Sequence, residues 1–190
     1  PAFMWNGKVA GVYRLEAGNQ FLFPKAGIQA DLSAGLAYFQ QAAATDWTAA
    51  FTFRQQIRRF SWEVRAAQQP YTYTITSLDT ALSFRRLAAS MGWNDPNGPE
   101  GKIAAELNDL PGNQVYSVYG WVYTPPVKFF IFTLRLGYSY SYSDSRENSF
   151  ISRRSLPEVI AAYDQPVTGM YYLFFTPKEQ HIHAGLLQAH

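Results

Sequence analysis

Residues 28–39, with the sequence IQADLSAGLAYF, alternate between apolar and polar side chains. Successive side chains of a strand point to opposite faces, so Leu32 and Leu36 share one face and Asp31 lies on the other. At about eleven residues, the pattern has the length that a tilted strand needs to cross a hydrocarbon core. Strands of soluble proteins are typically about half as long. The stretch therefore predicts a membrane-crossing β-strand.

A second long alternation runs from Val127 to Tyr142. One face begins with phenylalanine and leucine and ends with three tyrosines, the order expected where an apolar band meets an aromatic girdle. The other face carries Arg135 in mid-strand, where the guanidinium needs water or a partner. The two stretches together predict a lipid-facing or girdle set of Ile28, Leu32, Leu36, Tyr38, Phe130, Phe132, Leu134, Leu136, Tyr138, Tyr140 and Tyr142.

Shorter alternating segments recur along the chain, separated by turn residues. They predict further strands at residues 8–17, 47–54, 62–67 (extended past Pro70 to residues 71–75), 80–87, 102–107, 114–123, 167–175 and 181–186, with turns at 18–19, 94–98, 111–113, 124–126 and 176–178. The capping-box spacing of Ser155 and Glu158 predicts one short helix at residues 155–163, inside a long loop at 145–166. We therefore expect a single domain, residues 1–190, of about ten antiparallel strands joined in sequence.

The composition favours a surface that alternates between apolar and polar residues. Aromatic residues make up 17% of the chain and charged residues only 16%, whereas charged residues are about 25% of an ordinary globular domain. The mean hydropathy is nevertheless −0.21, so the chain is not apolar on average. The absence of cysteine excludes disulfides and thiolate metal sites. Basic residues occur at most in pairs, which argues against nucleic-acid binding.

Both a membrane β-barrel and a soluble β-sandwich would alternate in this way. The long strands and the small residues on the apolar faces, such as Ala30 and Ala34, favour a lipid-facing wall over a close-packed core. Charged residues of both signs occupy the opposite faces, where a barrel would place them in its lumen. The predicted lumen-lining set is Asp31, Arg54, Glu63, Arg65, Arg85, Glu106, Arg135, His181 and His183.

Four stretches resemble a known family: residues 69–80, residues 110–121 with Leu110-Pro111-Gly112-Asn113, residues 137–148 and residues 175–183. They look like the C-terminal barrel region of bacterial tetratricopeptide-repeat outer-membrane proteins, which is distantly similar to exopolysaccharide-export barrels. The resemblance covers Trp47 to the end of the chain. It implies outer-membrane lipid as a partner, a periplasmic helical-repeat domain in the same parent chain, and no catalytic residues.

The chain also departs from that family. No helical repeat precedes the strands, no signal peptide is recognisable, and the sequence ends in Leu187-Gln188-Ala189-His190 without a terminal phenylalanine or tryptophan. We therefore expect an incomplete barrel, seen as a fragment of a longer chain.

Candidate chemical groups are few. His181 and His183 have the spacing of two metal ligands on one strand face, but no carboxylate follows them, so no metal is predicted. Nothing in the sequence fixes two of the carboxylates Asp31, Glu63, Glu106 and Asp109 at the separation of a glycosidase pair. The nucleophile-elbow and phosphate-loop motifs are absent. The aromatic residues Tyr116, Tyr119, Trp121 and Tyr123 fit a sugar-stacking surface, but a girdle explains them without a ligand.

The sequence thus predicts an all-β, antiparallel up-and-down transmembrane β-barrel in the bacterial outer membrane. The expected function is a non-enzymatic passive pore or secretion conduit, with an exopolysaccharide as the cargo that the resemblance implies, and without a cofactor. The alternative is a soluble β-sandwich that binds carbohydrate on Tyr138, Tyr140 and Tyr142. A third hypothesis is a small metal enzyme that uses His181 and His183.

Overall fold

The computed structural model describes residues 2–5, 8–72, 80–130, 132–146 and 178–189. These residues form an all-β protein in which the one helical turn is a 3-10 helix, η1, at Pro24–Ala26. Within the described ranges, no helix has the length and apolar character of a membrane span. The predicted all-β class is confirmed for this part of the chain.

Eleven strands are present in the described ranges. They are β1 (Ala2–Trp5), β2 (Lys8–Phe23), β3 (Ile28–Phe39), β4 (Ala44–Ile57), β5 (Phe60–Pro70), β6 (Ser83–Asn94), β7 (Glu100–Leu110), β8 (Asn113–Tyr123), β9 (Val127–Phe129), β10 (Phe132–Ser145) and β11 (Gln180–Ala189). Most have 10–16 residues, about twice the length usual in soluble proteins.

The strands form one antiparallel meander in the order β1-β2-β3-β4-β5-β6-β7-β8-β10-β11. Strand β9 lies off this path and pairs only with the start of β10. Among the described pairings, none joins β1 or β2 to β11, so the sheet is open. The predicted up-and-down order of about ten strands is confirmed, and the sheet that carries it is not closed into a barrel.

The register divides the sheet into two faces. Leu32 of β3 pairs with Asn19 and Phe51, and Ser33 pairs with Gly18 and Ala50. Propagating these pairs across the sheet assigns each strand residue to the side of Leu32, here called the apolar face, or to the side of Ser33, here called the polar face. A strand that slipped by one residue would exchange the two sets.

Tight turns hold this register. Pro111 and Gly112 alone connect β7 to β8, and Gly112 has a left-handed φ of 82°. Glycine adopts that conformation without a Cβ penalty, and the ring of Pro111 fixes its own φ. Arg58 and Arg59 connect β4 to β5 in the same way, although Arg58 has a φ of 54°.

Several predicted boundaries were wrong. No turn occurs at Gly18, because β2 continues to Phe23. The alternation from Val127 is not one strand: Phe130 adopts a left-handed φ of 53°, and β9 folds back antiparallel on β10. The phase of the alternation changes at this turn, because Val127 and Phe129 share the face of Phe132 and Leu134. Residues 129–132 are all apolar, so the sequence does not reveal the change. Strand β6 begins at Ser83, after the predicted start.

Other predictions fall outside the described residues. These are the helix at 155–163, the strand at 167–175 and the extension through residues 73–75. The loop predicted at 145–166 is described only at its start, where β10 ends at Ser145. Residues 71–72, directly after Pro70, are not in a strand.

The small core lies at one end of the polar face. Val12, Ala37 and Phe39 are buried there, and Ala81 from the β5–β6 connection packs against them. At the neighbouring strands, Tyr71 and Leu82 from that connection bury Phe84, Leu110 and Val115. Ala81 reaches β2 and β3 although β4 separates β3 from β5. This contact between the β5–β6 connection and two strands that neighbour neither β5 nor β6 indicates that the sheet curves towards its polar face.

Candidate functional site

Ion pairs between neighbouring strands line the polar face. Arg54 of β4 lies directly opposite Glu63 of β5, with Nη2 2.7 Å and Nε 2.8 Å from Glu63 Oε2. Arg86 of β6 bonds to Glu106 of β7, and the Nδ2 of Asn108 is 2.6 Å from the other carboxylate oxygen. Opposite charges that face each other across strands stabilise the pairing.

One ion pair spans two strand intervals. Arg135 Nη1 of β10 lies 2.6 Å from Glu100 Oε2 of β7, although β8 runs between the two strands. The side chain of Arg135 is only 12% exposed. The curvature of the sheet brings these groups together, and the carboxylate supplies the partner that the sequence requires for an arginine in mid-strand.

Six of the nine predicted lumen residues lie together on the polar face: Asp31, Arg54, Glu63, Arg65, Glu106 and Arg135. Asp31 accepts hydrogen bonds from Gln20 Nε2 and Gln29 Nε2, both at 2.9 Å. The strand register places these six residues on one face. That this face borders a lumen stays a prediction.

The register separates the other three residues from that set. Arg85 pairs with Gln68 and Asp109 on the apolar face, so the prediction that it shares a face with the other charges was wrong by one residue. Arg86 is the β6 arginine on the polar face. Counting alternation back from Leu87 and Met91 would have found it, because both are on the apolar face with Arg85.

His181 and His183 also lie on the apolar face, which corrects their grouping with the charged residues. His183 Nδ1 is 2.6 Å from the hydroxyl of Tyr138, and His181 Nδ1 is 2.9 Å from that of Tyr140. The His181 ring also packs on Tyr142, with ring centroids 4.8 Å apart. The register between β10 and β11 places the two histidines beside these tyrosines. The sequence of β11 alone does not determine that register.

The predicted lipid-facing residues lie on the apolar face, with one exception. Phe130 is in the turn between β9 and β10 and belongs to neither face. The large exposed apolar side chains of the described strands follow the same division: all lie on the apolar face except Leu22, Tyr119 and Ile182. Leu15 is 79% exposed, Leu36 55% and Trp47 53%. Among the described residues, the sheet thus presents a continuous apolar surface that no other element covers.

Three cations of the polar face have no ion-pair partner among the described residues: Arg65, Lys102 and, on β9, Lys128. The Nε atom of Arg65 is buried and makes no hydrogen bond there. Arg65 and Lys102 line a recess of about 220 Å³, together with Tyr119 and the paired charges Glu63, Arg86 and Glu106. Alanine residues and Ser90 complete its lining.

The aromatic residues of β8 divide between the two faces. Tyr116 pairs with Leu107 on the apolar face, where a girdle residue belongs. Tyr119, Trp121 and Tyr123 lie on the polar face, opposite Ala104, Lys102 and Glu100. These three residues therefore lie on the face opposite to Tyr116 and to the predicted girdle tyrosines of β10. Because these residues are two apart in the sequence, the alternation predicts that they share a face. It does not determine which of the two faces that is.

The described carboxylates that the sequence offered as a catalytic pair are not brought together. Glu63 and Glu106 are each bonded to an arginine, and Asp109 lies on the face opposite to both. Within the described part of the chain, no three histidine, aspartate or glutamate side chains are grouped so as to hold a metal ion. The arrangement provides a set of ion-paired charges in fixed positions on one face of a sheet with long strands.

Comparison of the chain with models of protein families, with curated proteins and with solved structures found no match. The resemblance to the barrels of tetratricopeptide-repeat outer-membrane proteins therefore stays a prediction.

Proposed function

We propose that this chain forms the wall of a bacterial outer-membrane β-barrel and acts as a passive pore or secretion conduit. The observation that carries the proposal is the division of the sheet into an exposed apolar face and an ion-paired polar face. A water-exposed apolar surface of this extent is rare in soluble monomers. Contact of the same apolar surface with the hydrocarbon core of a membrane is favourable, as in the lipid-facing band of outer-membrane barrels.

The polar face would line the conduit, and its charges would act on the cargo through their field. Arg54, Arg86 and Arg135 each form an ion pair with a carboxylate, so their side chains are held in place and add little net charge to this face. Arg65, Lys102 and Lys128, which have no ion pair among the described residues, contribute uncompensated positive charge. Transport along this face needs no catalytic group, cofactor or energy source.

The lengths of the strands agree with this role. A membrane-crossing strand needs about 9–11 residues when tilted, and β3 to β8 have 11–14. On β5 to β8 the apolar face ends in a row of polar residues, Gln68, Arg85, Asp109 and Gln114. Such a row is the expected border between hydrocarbon and the headgroup region.

The first test is expression of the 190-residue chain without detergent, followed by size-exclusion chromatography and far-ultraviolet circular dichroism. We expect aggregates in buffer and, after refolding in detergent, a β-rich species whose gel mobility changes on heating. A soluble, monomeric and β-rich protein in buffer alone would contradict the proposal. It would favour the alternative, a soluble module that binds carbohydrate.

A further inference from the structure

A row of aromatic side chains on the polar face has no role in meeting lipid. Tyr119, Trp121 and Tyr123 occupy alternate positions of β8, and the rings of Trp121 and Tyr123 are 5.5 Å apart at 63°. Gly137 of β10 makes space for this row, because a Cβ there would lie 2.6 Å from Tyr123 Cδ1. Rings directed away from the apolar face call for a different partner.

Hydroxyl groups lie beside these rings. Ser139 of β10 pairs with Trp121, and Ser141 pairs with Tyr119. Flat aromatic faces next to groups that both donate and accept hydrogen bonds suit a ligand made of rings with C–H faces and hydroxyl edges. A carbohydrate chain has that chemistry.

The charge beside the row selects among carbohydrates. Lys102 pairs directly with Trp121 on the side away from the serines. Arg65 lines the same recess as Lys102 and Tyr119. Neither cation has a carboxylate partner in the part of the chain described, whereas Glu63, Glu100 and Glu106 are each neutralised by an arginine. The recess therefore presents two uncompensated positive charges beside the aromatic row.

We propose that the polar face binds an acidic oligosaccharide, whose sugar rings stack on Tyr119, Trp121 and Tyr123 while its carboxylates pair with Lys102 and Arg65. The serines of β10 contact the sugar hydroxyls. The inference deepens the proposed conduit, because it gives the inner face a ligand class, and it predicts a preference for charged over neutral chains.

The test is calorimetric titration of the full chain, refolded in detergent, with a hexamer of α-1,4-linked galacturonate. The comparison ligand is the methyl ester of the same hexamer, which keeps the rings and removes the charge. We expect the acid to bind at least about tenfold more tightly than the ester. Equal affinity for both, or no binding of the acid, would overturn the proposal.

Two pairs of variants locate the binding. Trp121→Ala should weaken binding of the acid by about tenfold, whereas Trp47→Ala, on the apolar face, should leave it unchanged. Lys102→Gln should reduce the preference for the acid over the ester, and Arg85→Gln, which removes the same charge from the other face, should not. Equal effects within either pair would contradict the assigned site.

Failure of this inference is distinguishable from failure of the proposed function. A heat-modifiable, β-rich protein in detergent that binds neither hexamer would leave the conduit intact and remove the ligand. A protein that is soluble in buffer would remove the conduit, and the same titration in buffer would still test the ligand.

Discussion

At the residue scale, the face on which a charge lies decides what it does. Arg85 and Arg86 are neighbours in the sequence with opposite surroundings. Arg86 bonds to Glu106 on the polar face, and Arg85 lies on the apolar face with its Nε 3.5 Å from Gln68 Oε1. Arg65 and Arg85 likewise lie on opposite faces: Arg65 is on the polar face, where it has no ion pair among the described residues, and Arg85 is on the apolar face.

If the proposed conduit forms, Arg65→Gln should make the reconstituted pore less selective for anions, because it removes an uncompensated cation from the polar face. Arg85→Gln removes one charge as well and is the matched control. The measurement is the reversal potential of planar bilayers under a salt gradient. A shift of equal size in both variants, or none in Arg65→Gln, would show that the polar face does not line the path of the ions.

A second residue-scale prediction concerns the turn between β7 and β8. Gly112→Ala should lower the free energy of unfolding by about 1–2 kcal/mol, because its φ of 82° is left-handed and costly for any residue with a Cβ. A Cβ at Gly112 would meet no atom within 4 Å, so the loss is one of backbone conformation alone.

Gly185→Ala is the control for that prediction, since its Cβ would also meet nothing within 4 Å and no left-handed φ is present there. Urea titration of both variants in detergent compares them. Similar stabilities would mean that the turn does not constrain the hairpin.

Residue-level prediction from the sequence succeeded where the alternation is regular and failed where it is not. Asp31 and Arg135 lie in long regular strands, and their face was assigned correctly. Arg85 lies at the start of a strand whose apolar residues become regular only at Leu87. His181 and His183 occupy a strand in which both faces carry apolar residues, so only pairing with β10 determines their side.

At the element scale, length and alternation specify the strands, and the turns specify their order. The sequence predicted β3 to the residue, because apolar and polar side chains alternate without interruption from Ile28. It missed the hairpin of β9 and β10, because Phe130 gives no turn signal. A left-handed phenylalanine is imposed by the pairing around it and not by its own preference.

The alternation of β3 can be tested by placing one charge on either face. Leu32→Arg should lower the free energy of unfolding in lipid vesicles by about 2–4 kcal/mol, the cost of an arginine near the bilayer midplane. Ser33→Arg adds the same charge one residue further along, on the polar face, and should cost much less. An equal loss in both variants would be incompatible with a lipid-facing side at Leu32.

At the scale of the whole molecule, the sheet needs partners at its edges. A bilayer does not tolerate unpaired strand edges, so β11 and the opposite edge must pair when the sheet is in a membrane. The path of described strands contains ten that alternate in direction, so β1 and β11 run in opposite directions. Antiparallel pairing across this gap is the arrangement that bacterial barrels use.

The central claim is that the apolar face meets lipid and the polar face does not. Two single-tryptophan proteins test it directly, one keeping Trp47 and the other keeping Trp121, with the remaining four tryptophans changed to phenylalanine. Both are refolded into vesicles whose acyl chains carry bromine, which quenches tryptophan fluorescence on contact. We predict strong quenching of Trp47 and little of Trp121. Equal quenching of both residues, or none of Trp47 in vesicle-bound protein, would contradict the account.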